Sequence, residues 1–443
     1  MRSRFIELIT VTASSIIELS TTLLITKIVA VQLSKDGYGF YSLILSVVAL
    51  FSLLPFSSLH VGIERYIIEY KNRNKFARFY ASIYLIHIVF FVLYLLLLLP
   101  LSPFLTGEWN EIWEIVYLFF ITKVYKQFVF CILNINRKRI SILYARIIDL
   151  SIQLILLYFF LIKGLSIQEI LYASIVSSLL TIGYLVYIDS HNIYLKKVRV
   201  SDFLLVLKDV FSYSYPLIIW GIFAWIQSMI GRWFVDFYLT KSDVANFSMI
   251  FSLSLLPSTA ISAIIGSYFV PIAYSNEAKC TGFIGRYINK ILFSVSLVWL
   301  VIILTFLFLG EYIIVLFLDV KYLNIYWYLF WGLLGTGVYT LGQLSVYELY
   351  YYKKVKYLLL PNLLPGLLTI VGCMIIVPFW GFDGAVYVNV FTYVISGILT
   401  LYCTLYYGRK IKIIYGIWRI RKSNVYLCSC KRYCTNFKPK INI

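Results

Sequence analysis

An all-α polytopic membrane protein with about twelve transmembrane helices is the fold class this sequence predicts. Three observations predict it. Of 443 residues, 61% are apolar and 13% are charged, about half the roughly 25% charge of a soluble chain. Charge-free runs recur at 37–63, 79–107, 170–188, 210–231, 244–276, 291–310, 322–347, 357–382 and 384–408, each near the ~20 residues a helix needs to cross hydrocarbon. The basic residues alternate between connections. With the N-terminus in the cytoplasm, thirty of the 39 Lys and Arg fall on inner segments and the tail. Only Lys35, Lys163, Lys241 and Lys321 fall on outer loops, as the positive-inside rule requires. The 19% aromatic content excludes a disordered chain. The length of the runs excludes a β-barrel, whose strands are short and alternating.

The elements follow in order. The first apolar region, 9–31, opens on a basic stretch but is interrupted by Glu18 and continues to Val31, which predicts an uncleaved first helix rather than a signal peptide. Regions 113–134 and 141–162 carry isolated internal charges and bring the count to twelve. The longest connection, 189–209, divides the chain into an N-terminal six-helix bundle (1–190), a cytoplasmic linker (191–209), a C-terminal six-helix bundle (210–408) and a basic cytoplasmic tail (409–443). The halves resemble each other. LSKDGYGFYSLIL from Leu33 aligns without gaps on LTKSDVANFSMIF from Leu239, pairing Lys35 with Lys241, Tyr41 with Phe247 and Ser42 with Ser248. Six is even, so the repeat is parallel, with its pseudo-two-fold axis along the membrane normal.

Net charge +19 is explained by orientation and by contact with anionic lipid headgroups, so nucleic acid is not an expected partner. Cys428, Cys430 and Cys434 in the tail lack a clear fourth ligand for zinc, and no metal or cofactor is expected. His60, His87 and His191 have no Cys, Asp or Glu at metal-ligand spacing, and no phosphate-binding glycine loop is present. The chain is not expected to be an enzyme.

Charge inside a bilayer costs about 2.5–3.5 kcal/mol or more at a helix centre, and it therefore marks the candidate site. Lys27, Lys123, Lys126, Arg146 and Arg232 fall within predicted helices, as do Glu18 and Asp149. Lys123 and Lys126 share a face and lie too deep to snorkel. Arg146 and Asp149 are three apart on one helix and are placed to neutralise each other, whereas Lys27, near an outer helix end, can snorkel. Glu7, Thr10, Ser14, Glu18 and Thr21 form a polar stripe, and Trp225, Ser228 and Arg232 share a face. Together these residues predict a hydrated, net cationic cavity suited to an anionic substrate such as a lipid pyrophosphate or an acidic sugar.

Four motifs carry a family resemblance over residues 1–408. They are Tyr38, Gly39, Tyr41 and Ser42 after the first helix; Gly62, Arg65 and Tyr66 at the basic end of the second; Pro216, Trp225 and Arg232 in the seventh; and Gly381, Gly384 and Ala385 before the last. In this order and spacing the chain resembles the Wzx-type O-antigen and polysaccharide flippases of the multidrug/oligosaccharidyl-lipid/polysaccharide (MOP) exporter superfamily. It departs from them where Gly231 replaces the Asp of an Asp-Arg pair. The resemblance implies two six-helix bundles in a bacterial cell membrane, with alternating access to a central cavity. The implied substrate is undecaprenyl-pyrophosphate-linked oligosaccharide, held by Lys123, Lys126, Arg232, Lys27, Arg65 and Arg146. Glu18 and Asp149 are candidates for ion coupling. Membrane lipids, a polysaccharide polymerase and a chain-length regulator are the implied partners. The alternatives are a multidrug antiporter of the same superfamily, whose cationic substrates call for an acidic cavity, and a membrane polysaccharide polymerase or ligase, which calls for a large basic outer loop.

Overall fold

Regular structure in the computed structural model is helical throughout the residues it describes, which are 2–73, 75–98, 100, 107–136, 138–189, 200–270, 273, 283–352 and 354–422. The first half contains α1 (Arg2–Gln32), α2 (Lys35–Ser52), α3 (Ser58–Asn72), α4 (Phe76–Leu98), α5 (Glu108–Ile135), α6 (Arg139–Lys163) and α7 (Ile167–Asp189). The second half contains α8 (Val200–Tyr238), α9 (Lys241–Ile264), α10 (Phe283–Phe317), α11 (Tyr326–Ser345), the short α12 (Tyr347–Tyr351) and α13 (Leu359–Lys422).

Equivalent residues of the repeat start equivalent helices. Ser34 accepts a hydrogen bond from the Gly37 amide at the head of α2. Thr240 closes a capping box with Asp243 at the head of α9. Side-chain oxygens at these positions satisfy amides that a helix start leaves unpaired. Both helices then run into a π turn, Leu53–Ser57 after α2 and Ile265–Phe269 after α9. The first turn contains Pro55 and a non-helical Leu54, so the second apolar run is two helices rather than one.

Ten helical segments among the described residues are long and apolar enough to cross a membrane. The expected twelve differ from these ten in two places. Helix α11 is not among the ten, and Lys356–Gly408 is counted once although it spans 53 residues. A straight helix of that length reaches about 80 Å, more than twice the ~30 Å hydrocarbon core. Gly381, at φ +57°, breaks it three residues after Pro378. That φ lies where side chains are disfavoured, and a Cβ there meets nothing nearer than Leu239 at 3.9 Å. Gly381→Ala should therefore cost roughly 1 kcal/mol through backbone strain alone, read as a lower Tm in detergent.

Helix extends into two of the segments read as connection and tail. The connection at 191–209 is helical from Val200, because the head of α8 packs on the first half. Tyr70 donates to Asp209 at 2.7 Å, Arg78 approaches Asp202 at 3.5 Å, and Gly62 lies against Val210 and Ser214. Burial and the Asp209 contact hold the Tyr70 phenol well above its usual range, so it stays a donor. The helical backbone of α13 also continues past residue 408 to Lys422. The tail cysteines lie outside the described residues.

The core is unevenly divided between the two ends of the bundle. At the end carrying the α1–α2 and α8–α9 connections, one cluster joins both halves, with Ile44, Phe120 and Leu171 from the first and Phe247, Tyr322 and Val377 from the second. At the opposite end the described core splits. One cluster is built from α3, α4, α5, α6 and α7 with Val206 and Val210 of α8. Separate clusters occupy the second half around Ile265, Ile284 and Leu349. One cluster thus fuses the halves at the first end, while at the other the first half's core takes in the head of α8 and the remaining described clusters of the second half stand apart from it.

Candidate functional site

The fused end is built on the repeat itself. Ser248 donates to Ser42 across 2.8 Å, and both side chains are buried. These are the residues that the repeat pairs with each other, so the contact lies on the pseudo-two-fold axis. Gly39 lies three residues earlier, and its repeat equivalent is Ala245. A Cβ on Gly39 falls 2.0 Å from the Lys241 carbonyl oxygen and 3.4 Å from the Ala245 amide. Only glycine lets α2 and α9 approach this closely. Trp225 and Trp233 of α8 donate to the Ser46 carbonyl and hydroxyl of α2 at 2.9 and 3.0 Å. Trp233 also stacks on Trp109 of α5, with centroids 6.0 Å apart.

Lysines link the halves around this contact. Lys241 pairs with Glu108 at 2.6 Å, and its repeat equivalent Lys35 reaches Asn324 at 3.4 Å. Lys27 donates to the Leu316 carbonyl at the end of α10 at 2.5 Å. In the opposite direction, Lys321 donates to the Val31 and Leu33 carbonyls at the end of α1, at 3.2 and 2.7 Å. Cations at helix C-termini satisfy carbonyls that lack intrahelical partners and complement the helix dipole. Three of the four lysines assigned to outer loops are therefore links between halves. Each link is partly exposed and individually weak.

A layer of charge crosses the middle of the first half. Lys126 of α5 pairs with Asp149 of α6 at 2.9 Å, with side chains 18% and 14% exposed. Thr181 of α7 adds a 3.4 Å contact to Asp149. Arg146 of α6 pairs with Glu18 of α1 at 2.6 Å and lies over the Phe130 ring. The expected Arg146–Asp149 neutralisation does not form, because the two side chains turn to different neighbouring helices. Glu18 is 52% exposed at the midpoint of α1. A half-exposed carboxylate at that depth is costly beside lipid unless it is paired, and Arg146 supplies the pair. Lys123 has neither an ion pair nor a hydrogen bond among the described residues. Its ammonium lies 5.5 Å from the Phe119 ring.

The remaining candidates separate. Arg232 is only 7% exposed and meets the Met229 sulfur at 2.8 Å. It is packed beneath the fused end, near Tyr38 and Tyr393. The Gly231 departure has a steric cause, since a Cβ there falls 2.7 Å from Phe247 and an Asp would not fit. Lys27 sits in the inter-half contact, away from the charged layer. Arg65 is exposed on α3, toward the end opposite the fused one. Six expected cavity cations thus reduce to two ion-paired (Lys126, Arg146), two in or under the fused end (Lys27, Arg232), and Lys123 and Arg65 unpaired among the described residues. Sequence reasoning missed Ser46, Trp109 and Trp233, whose roles depend on contacts between distant segments.

No family model matches this chain, and no curated protein matches it. Solved structures do. A lipid II flippase, MurJ, in an inward closed conformation superposes with a TM-score of 0.69 at 15% identity, over 90% of this chain and 87% of that one. An inward-facing multidrug resistance MATE family transporter of the MOP superfamily gives 0.67 at 15%, over 90% and 98%. A MOP superfamily transporter from Pyrococcus furiosus, described as having a binding pocket of reverse polarity, gives 0.65 at 13%, over 92% and 95%. This chain has the all-α, polytopic MATE/MOP-like fold.

Proposed function

We propose that this chain is a Wzx-type flippase. It moves undecaprenyl-pyrophosphate-linked oligosaccharide repeat units from the cytoplasmic to the outer face of a bacterial cell membrane. The fused end is the outer end by the distribution of basic residues, so the other end faces the cytoplasm, where such substrates are assembled. The observation that carries the reading is Lys123, an ammonium without a counter-charge among the described residues, placed near the middle of α5 beside the Phe119 ring. An unpaired cation there is costly unless an anion arrives, and a pyrophosphate or acidic sugar supplies one. The Lys126–Asp149 and Arg146–Glu18 pairs set the shape of the layer without adding net charge. Transport then requires the Ser42–Ser248 contact to part while the inner ends close, a rocking of one half against the other. The lipid tail stays in the bilayer throughout.

The multidrug reading is disfavoured because the carboxylates of the charged layer, Glu18 and Asp149, are both in ion pairs and offer no free site to a cationic drug. A polymerase or ligase is disfavoured because three of the four outer-loop lysines, Lys35, Lys241 and Lys321, are engaged in joining the halves. A polymerase and a chain-length regulator remain the proposed partners at that face.

Lys123→Gln in a glycan-producing host tests the reading. Surface polysaccharide should fall tenfold or more, about 1.4 kcal/mol or greater in substrate interaction, with the protein still in the membrane and lipid-linked repeat units accumulating inside. Lys123→Arg, which keeps the charge, should retain part of the activity. Wild-type export by Lys123→Gln would remove the ammonium from the mechanism.

A further inference from the structure

We infer that Arg232, Tyr38, Asn389 and Tyr393 form a binding site for a small inorganic anion of the halide type, buried beneath the fused end and built from both halves. This ion is distinct from the transported substrate, and its binding stands on geometry whether or not the flippase reading holds.

Arginine keeps its charge in any protein environment, so burial cannot neutralise it as it can a histidine or a lysine. Arg232 is buried on α8. Its one hydrogen-bond partner among the described residues is the Met229 sulfur, a weak acceptor. Its Nε has no partner there. The ionisable groups that bear on it are the phenols of Tyr38 and Tyr393, and it forms no ion pair among the described residues. A guanidinium withdrawn from water with no counter-charge is strongly unfavourable. An anion completes such a site.

The groups around Arg232 are donors. Asn389 and Tyr393 stand one turn apart on one face of α13, and both are buried. Neither the Asn389 amide nor the Tyr393 hydroxyl has a hydrogen-bond partner among the described residues. The Gln227 side-chain amide donates to the Thr392 carbonyl at 3.1 Å, which holds this stretch of α13 against α8. Asn389 Nδ2 lies 3.2 Å from where a Cβ on Gly231 falls, so the amide sits beside the residue that precedes Arg232. Tyr38, from the first turn of α2, is buried too. Guanidinium, amide and phenol all offer N–H or O–H donors, and a halide only accepts. Donors left unmade at this depth are unfavourable, and one anion satisfies several together.

Charge and packing set the size of the ligand. One guanidinium matches one negative charge. A Cβ on Gly231 already falls 2.7 Å from Phe247. Phe251 and Tyr339 pack on the Tyr393 ring, with centroids 5.8 and 5.1 Å away. Close packing by rings and an amide suits a compact, weakly hydrated ion such as chloride better than a glycan pyrophosphate. Tyr38 belongs to the first half and Tyr393 to the second, so the bound ion ties the halves together at the fused end. Its role is to hold that contact, not to drive transport.

The test uses purified full-length protein in lipid nanodiscs, with chloride exchanged for gluconate at constant ionic strength. Tm should rise with the logarithm of chloride concentration once the site begins to fill. Bromide should act as chloride does, and radiolabelled chloride should bind at one site per chain. Arg232→Gln should abolish both the binding and the rise. Tyr393→Phe keeps the ring and removes one donor, so it serves even where Arg232→Gln fails to fold. Its half-maximal stabilisation should need roughly tenfold more chloride. A rise in Tm equal in wild type and both variants is a general salt effect and would overturn the site. So would stabilisation by inorganic phosphate with none by chloride, which would return Arg232 to the substrate path. The disulfide of a Ser42→Cys/Ser248→Cys variant should form faster in chloride than in gluconate, and equal rates would overturn the bridging role. None of these readouts involves a glycan, so a failure of the flippase reading leaves the anion site standing.

Discussion

Oxidation of a Ser42→Cys/Ser248→Cys variant should abolish transport, and a reductant should restore it. The two hydroxyl oxygens are 2.8 Å apart and buried between α2 and α9. Sulfurs placed there need to approach only to the ~2.05 Å of a disulfide. The bond would fix α2 to α9 at the pseudo-two-fold axis, where any rocking of the halves must separate them. Export should fall to background in the oxidised protein and recover on reduction, with the cross-link scored by mobility after cleavage between the halves. Full activity in the cross-linked state would mean that the fused end does not open during transport.

The second large effect concerns stability. Lys126→Met should destabilise the protein by about 3–5 kcal/mol, because it leaves the Asp149 carboxylate 14% exposed with only Thr181 nearby. The double variant Lys126→Met/Asp149→Leu should recover most of that loss, since two apolar side chains of similar volume replace a pair whose desolvation cost offsets much of its attraction. Tm in detergent and the amount of protein in the membrane report both. If export is also normal in the recovered double variant, the pair is structural and Lys123 alone carries the anion. A double variant no more stable than the single would show that Asp149 has a partner besides Lys126.

Much of this fold is legible in the sequence. Charge-free runs mark the spans because hydrocarbon tolerates few charges, and the repeat at Leu33 and Leu239 marks a contact that is made in space at Ser42 and Ser248. Glycine at 39 belongs to the same motif, and its reason is visible only when Lys241 is seen against it. The charged layer was legible in its membership and not in its pairing. Spacing along one helix offers Arg146 to Asp149, but side chains in a bundle turn toward neighbouring helices, and that choice depends on how α1, α5, α6 and α7 are rotated. Arg232 was legible as an intramembrane charge. Its burial beneath the fused end, near Tyr38 of one half and Tyr393 of the other, depends on the two halves meeting.

The most direct test of the central claim is translocation by the purified protein. Undecaprenyl-pyrophosphate oligosaccharide labelled on its sugar is placed in the inner leaflet of liposomes, and its exposure to an impermeant periodate or lectin is followed outside. The account predicts exposure that depends on the protein, is slowed tenfold or more by Lys123→Gln and stops in the oxidised Ser42→Cys/Ser248→Cys variant. An unchanged leaflet distribution with folded wild-type protein, or exposure equally fast in the oxidised variant, would contradict it.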